Sequence, residues 1–144
     1  MSGTRVLAAI SAGGALGSAL RYGVTLAWPA SPWATLTTNL VGCALIGVLM
    51  VLITEAGAGP ALLRPFLGIG VLGGFTTFSA YAVGVVLLAR DGQVGVAAGY
   101  LVATVLGALV ATWLGIVGGR RLVAGRRLAA GRSRAPDGTR GRVS

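Results

Sequence analysis

The sequence predicts an all-α membrane protein with four transmembrane helices, and three observations carry that expectation. Hydrophobic residues make up 55% of the 144 and charged residues only 10%, whereas a soluble domain carries about 25% charged residues. Four stretches are each long and apolar enough to cross a bilayer, which takes roughly 20 such residues. Glycine is abundant, at 25 residues, and much of it is set among Leu, Val and Ala inside those stretches, where a missing side chain lets two membrane helices approach closely. The length bounds the chain to a single domain.

The first span runs from about Val6 to Leu26, with Arg21 near its end. Its start is short on positive charge, so it reads as a retained span and not a cleaved signal. Trp28, Pro29, Ser31, Pro32 and Trp33 make a loop whose two indoles suit an interfacial belt. The second span runs from about Ala34 to Thr54 and is ended by Glu55, Gly57, Gly59 and Pro60. The third, from about Ala61 to Ala89, is long for one helix and stops at Arg90, Asp91 and Gly92. The fourth runs from about Gln93 to Gly118, giving a four-helix membrane unit over 1–118 and a basic tail over 119–144. The tail is poor in large apolar residues and is expected to be disordered.

Net charge is +9 and every basic residue is arginine. Arg5, Arg64 and the eight arginines after residue 119 fall on one side of a four-span chain, Arg21 and Arg90 toward the other. That asymmetry places both termini in the cytoplasm by the positive-inside rule; the basic flank reads first as a topology signal with no nucleic-acid partner expected, a lipid-headgroup or nucleic-acid role for the tail being the alternative. Membrane lipid is the implied surroundings.

The fourth span carries a packing signal. Gly95, Gly99, Ala103, Gly107, Ala111 and Gly115 recur at every fourth position, a small-residue ridge on one face. Beside it run Tyr100, Thr104 and Thr112, with Ala108 in the gap. These hydroxyls either present a polar face or bond back to their own helix carbonyls.

Chemistry is narrowed by what the chain lacks. There is no His, and the only acids are Glu55, Asp91 and Asp137, none in the middle of a span. Proton-coupled export relies on an intramembrane carboxylate, metal transport on His, Cys, Asp or Glu clusters, and hydrolysis on a nucleophile with a base. An enzyme is not expected, and Cys43 stands alone. Neutral donors remain. Thr35 and Asn39 share a face of the second span and either line a wet cavity or make an interhelical hydrogen bond. In the third span, Gly73-Gly74-Phe75-Thr76-Thr77 weakens a helix locally. A break there frees carbonyls, and unwound carbonyls at mid-membrane can hold Na⁺. Phe78 and Tyr81, three apart, either fill the core or turn their partly positive ring edges toward an anion.

These motifs resemble the small bacterial fluoride channels called Fluc or CrcB. Gly13-Gly14 through Gly17 to Arg21-Tyr22 looks like the family's first-span motif. Thr35-Leu36 through Asn39 to Gly42 looks like the second, and Gly73-Gly74-Phe75-Thr76-Thr77-Phe78-Ser79, the most specific, like the third. The resemblance covers residues 4 to 118 or so. It implies four helices per subunit, the third broken mid-membrane, assembling as an antiparallel dimer with two fluoride pathways. It implies a structural, untransported Na⁺ held by the carbonyls of Gly73 and Thr76. It assigns Asn39, Thr35, Phe78, Tyr81, Thr77 and Ser79 to the fluoride pathway and Arg21 to an anion vestibule.

The chain departs from the family pattern in several places. Tyr81 stands for a usual Phe, Ala82 for a Ser, Gly84 for a Glu, Thr104 for an Asn and Ala108 for a Ser. The resemblance thus implies passive fluoride export by a homodimer, or by a heterodimer with an oppositely oriented paralogous subunit. Two other readings stand beside it: a non-conducting partner that completes another subunit's pore, and a small dimeric four-span multidrug-type transporter, which would want the intramembrane carboxylate this chain lacks.

Overall fold

The computed structural model describes residues 2–29, 31–55, 57 and 59–133. They form α1 (Gly3–Ala27), α2 (Pro32–Thr54), a π-helical segment (Arg64–Leu72), the short α3 (Gly73–Phe75), α4 (Phe78–Arg90) and α5 (Val94–Ser133), with no strand among them. Three stretches are long and apolar enough to cross a membrane: Pro32–Thr54, Arg64–Arg90 and Val94–Ala129. The 25 residues of α1 would extend roughly 37 Å at 1.5 Å per residue, but α1 is more polar, holding Arg5, Ser11, Ser18, Arg21 and Thr25.

Local sequence sets the boundaries. Pro32 opens α2, where its missing N–H costs nothing, and the Ser31 hydroxyl accepts the Trp33 amide at 3.2 Å. Gly57 and Gly59 adopt positive φ in the turn after α2, and Gly92 does so between α4 and α5, backbone conformations glycine reaches without steric cost. The π segment, α3 and α4 form one stretch running against α2, with Gly68 near Leu49 and Thr77 at Asn39, so the start of α1, the end of α2, the start of the π segment and the C-terminal part of α5 share one end of the molecule.

Two glycine seams hold the helices together. On α1, Gly13 lies against Phe66 and Gly70 of the π segment, and Gly17 lies against Val71 and Phe75. On α5, Gly107 meets Leu40, Gly115 meets the Ala44 carbonyl, and Gly119 meets Val48 and Val51, while Gly47 of α2 meets Thr112 and Ile116. In each pair the numbering rises together, so α1 runs parallel to the π segment and α2 parallel to α5.

The structure departs from the sequence expectations at three points. The small-residue ridge of α5 is divided: Gly107 and Gly115 are packed against α2, whereas Gly95 and Gly99 face open space. The third apolar stretch is π-helical over Arg64–Leu72, and its irregular residues are Thr76 and Thr77 alone, Gly73–Phe75 being helical. The expectation of disorder from residue 119 is corrected as far as Ser133. There α5 continues, because Arg, Leu and Ala are strong helix formers and because Glu55 accepts Arg120 Nε at 2.9 Å on its side chain and Arg127 Nη2 at 2.7 Å on its carbonyl. The remainder of the expected tail, 134–144, lies outside the described residues.

A methyl group at Gly17 would overlap the Val71 carbonyl, whereas one at Gly23 meets nothing within 4 Å. Gly17→Ala is therefore expected to lower stability by about 1–3 kcal/mol through overpacking. Gly23→Ala is expected to be neutral or to stabilise by up to about 1 kcal/mol through helix propensity. Thermal unfolding of both variants in detergent checks the pair.

Candidate functional site

An uninterrupted helix would send each N–H to the carbonyl four residues back. That pattern last holds at Thr76, whose amide donates to Leu72 O at 3.0 Å. Thr76 (ψ 152°) and Thr77 (φ −148°, ψ 124°) are then extended. The Thr77 N–H leaves Gly73 O and donates instead to Asn39 Oδ1 at 2.8 Å, while Asn39 Nδ2 donates to Thr77 O at 3.0 Å. One amide side chain on α2 thus satisfies both backbone groups of the residue where the helix is lost. Asn39 is 8% exposed, so without this pairing the Thr77 N–H and the Asn39 amide would be left unmatched away from water.

Some of the other groups at the break find nearby side chains. Gly74 O accepts Arg21 Nε at 3.2 Å and, more weakly, Ser18 Oγ at 3.5 Å, both from α1. Thr77 Oγ1 caps α4 by accepting the Ala80 N–H at 3.2 Å, which withdraws that donor from Thr76 O. Thr76 Oγ1 returns to Leu72 O at 3.0 Å. Gly42 of α2 lies directly against the Thr76 methyl group, so a larger residue there would push the irregular pair outward.

A cavity of about 260 Å³ opens at this point, lined by Asn39, Thr76, Thr77, Phe78, Tyr81 and Thr104, with Cys43, Val105 and Ala108 completing the wall. It brings together four of the pathway residues read from the sequence: Asn39, Thr77, Phe78 and Tyr81. The two rings are 5.5 Å apart at 60° but differ in setting. Phe78 is 79% exposed, whereas Tyr81 is 7% exposed and its hydroxyl donates to Leu101 O at 3.4 Å. From Tyr81 the rings continue to Tyr100 (5.7 Å) and on to Trp33 (6.1 Å).

The remaining predicted residues lie nearby but apart. Thr35 lines a second, larger cavity of about 750 Å³ with Trp28, Trp33, Gly84 and Asp91, at the end where α4 gives way to α5. The Ser79 hydroxyl is 3.3 Å from Thr77 Oγ1. Arg21 borders neither cavity; its guanidinium holds the backbone at Gly74. On α5, Thr104 and Thr112 bond back to Tyr100 O and Ala108 O at 2.8 and 2.9 Å. Ser18 escaped the sequence reading, although its place three residues before Arg21 was the available signal. So did Cys43, four residues after Asn39 on the same face.

Removal of the Asn39 amide would strand the Thr77 N–H and leave the Thr77 carbonyl only the first helical bond of α4. Asn39→Leu is expected to lower stability by about 1–3 kcal/mol. Asn39→Asp, which keeps the acceptor but places an oxygen against the Thr77 carbonyl, should be nearly as damaging while ionised. Arg21→Lys is expected to be milder than Arg21→Gln, because an ammonium keeps a charge-assisted donor for Gly74 O. Unfolding midpoints in detergent rank the four variants.

Residues 8–116 match the family model described as CrcB-like protein, Camphor Resistance (CrcB). The fluoride-specific ion channel FluC 1 of Streptomyces coelicolor is 49% identical over 122 residues, covering 82% of this chain and 79% of that protein. FluC 2 of Nocardia farcinica is 53% identical over 114 residues, 76% of this chain and 81% of its own. FluC of Pseudomonas putida is 44% identical over 117 residues, 77% and 94% respectively. A match that takes in α1, α2, the irregular threonines with their Asn39 partner, and most of α5 leaves one conclusion: the chain is a member of the CrcB family.

Proposed function

We propose that this chain is a subunit of a fluoride channel that passively exports fluoride across the cell membrane. The observation that carries the reading is the convergence of Asn39, Thr77, Phe78 and Tyr81 on one cavity whose wall holds no carboxylate and no imidazole. Fluoride is small and strongly hydrated, so a narrow pathway must replace its water with other donors. An amide nitrogen carries two hydrogens, and Asn39 commits one to Thr77 O, which leaves one for an anion. The hydroxyls of Thr77, Ser79 and Thr35 and the ring edges of Phe78 and Tyr81 extend the series. No group along it needs to change charge, as suits passive conduction. The relatives are named as ion channels, and the activity is transport, not catalysis.

In this reading α1 also crosses the membrane, making four spans, the third is interrupted at Thr76 and Thr77 near mid-membrane, and both termini are cytoplasmic. Two subunits assemble antiparallel. The exposure of Phe78 and the open space beside Gly95 and Gly99 leave room for a partner's helices. The arginine asymmetry favours one direction of insertion, so an oppositely oriented paralogous subunit suits the chain better than a second copy. Na⁺ fits the same segment. Gly73 O and Thr76 O have lost their helical donors to Asn39 and to the Thr77 hydroxyl, and hard cations take oxygen ligands of this kind. When bound, Na⁺ would supply the positive charge that steadies those carbonyls, as a structural ion that is not transported. A supporting, non-conducting subunit is a second reading, favoured by Ala108 on the cavity wall and Gly84 on the larger one, where polar residues are usual in the family.

The test is fluoride efflux from liposomes holding the purified chain, alone and with an oppositely inserted paralogue. Fluoride but not chloride should leave, and Asn39→Asp or Tyr81→Ile should slow efflux at least about fivefold, the loss of one well-placed donor being worth about 1 kcal/mol or more. Flux that is indifferent to both substitutions would make this subunit's pathway idle, and robust flux from the lone chain would remove the need for a second kind of subunit. Replacing Na⁺ by N-methylglucamine is expected to lower both flux and unfolding midpoint; unchanged values would remove the ion.

A further inference from the structure

The CrcB match ends at residue 116, yet α5 runs on to Ser133. Its 40 residues extend about 60 Å, twice the roughly 30 Å hydrocarbon core. Trp113, 61% exposed, suits the outer edge of that core. Arg120 and Arg121 then emerge in the headgroup layer, with Arg126 and Arg127 roughly 9 Å farther out at 1.5 Å per residue. Arg5 and Arg64 are exposed at the same end. Against these six, Glu55 is the only acid there among the described residues, and it is already engaged by Arg120 and Arg127.

Arg121 and Arg126 are thus exposed and outside the one ion pair formed among the described residues. Arg121 lies seven residues, two helical turns, beyond the exposed Leu114 and so continues the outward stripe of the span. Val123, only 5% exposed, marks the opposite, protein-facing side, about 160° away at 100° per residue. Leu122 is 57% exposed beside Arg121. An exposed leucine next to an unpaired arginine at headgroup depth suits a lipid, which offers phosphate and acyl chain together. A nucleic acid would use only the arginine.

We propose that the C-terminal part of α5 is a binding surface for anionic phospholipid headgroups, with Arg121 and Arg126 as its cations and Glu55 holding Arg120 and Arg127 so that the helix stays folded beside α2. Basic side chains near an anionic membrane surface each favour it by about fivefold in association. The pair lies outside the cavity of about 260 Å³, so the surface is independent of the pathway reading.

The experiment uses the full chain in mixed vesicles and measures the association of spin-labelled phosphatidylglycerol relative to spin-labelled phosphatidylcholine. Wild type should prefer the anionic lipid, and raised salt should weaken the preference. Arg121→Gln with Arg126→Gln should reduce it at least about fivefold, whereas Arg121→Lys with Arg126→Lys should keep it within about twofold. An unfolding midpoint in detergent equal to wild type shows that the glutamine variant is folded. Equal association of the two lipids with wild type, or a preference that survives the glutamine substitutions, would overturn the proposal. So would displacement of the anionic lipid by a single-stranded oligonucleotide at physiological salt.

Discussion

Peptide groups that lose their helical partners in a low-dielectric interior must find others, and the arrangement around Thr76 and Thr77 follows from that requirement. Two glycines and two β-branched residues weaken the helix there, but weakness alone would leave several N–H and C=O groups unpaired. The amide of Asn39 answers both groups of Thr77, the guanidinium of Arg21 answers Gly74, and the hydroxyl of Thr77 caps the helix that follows. Asn39 comes from α2 and Arg21 from α1, while Thr77 itself caps α4, so the irregular pair ties α1, α2 and α4 to one point. Four carbonyls, those of Gly73, Gly74, Phe75 and Thr76, lose their helical donors there, and Arg21 supplies one to Gly74; Gly73 and Thr76 are the two the family resemblance assigns to a cation.

This constraint explains why the glycine seams matter. Arg21 reaches Gly74 only if α1 lies close along the π segment, which Gly13 and Gly17 permit by taking backbone contact where other residues place a side chain. Asn39 reaches Thr77 only if α2 lies close to the irregular pair, and Gly42 supplies that clearance by lying under Thr76. Packing and polar satisfaction are therefore one problem. A methyl group added to a seam acts on the hydrogen bonds several ångströms away as well as on the local contact.

The helices and their turns could be read from the chain because apolar length, Trp at the loop and Gly or Pro at the ends are local signals. The pairing of Asn39 with the third stretch could be suspected, since an amide in an apolar helix must be matched, but its partner could not be identified: Thr77 is remote in sequence and contributes backbone groups, which have no letter of their own. The role of Arg21 was hidden for the same reason. Phe78 and Tyr81 share a spacing, yet one ring is exposed and the other buried, because burial depends on where α5 runs. The continuation of α5 beyond Gly118 was missed because composition suggested disorder, while helix propensity and the single acid at Glu55 favoured order. The π-helical stretch over Arg64–Leu72 has no pattern that distinguishes it from an α-helix of the same composition.

Cys43 is the only cysteine in the chain, and its side chain lines the cavity beside Asn39 and Thr77. The protein therefore carries its own reporter group at the point of greatest interest. A thiol-reactive label needs no engineered cysteine and no removal of competing ones. Its rate of attachment measures how freely small solutes reach that wall, and an attached fluorophore or spin label would register local changes there as ions are exchanged.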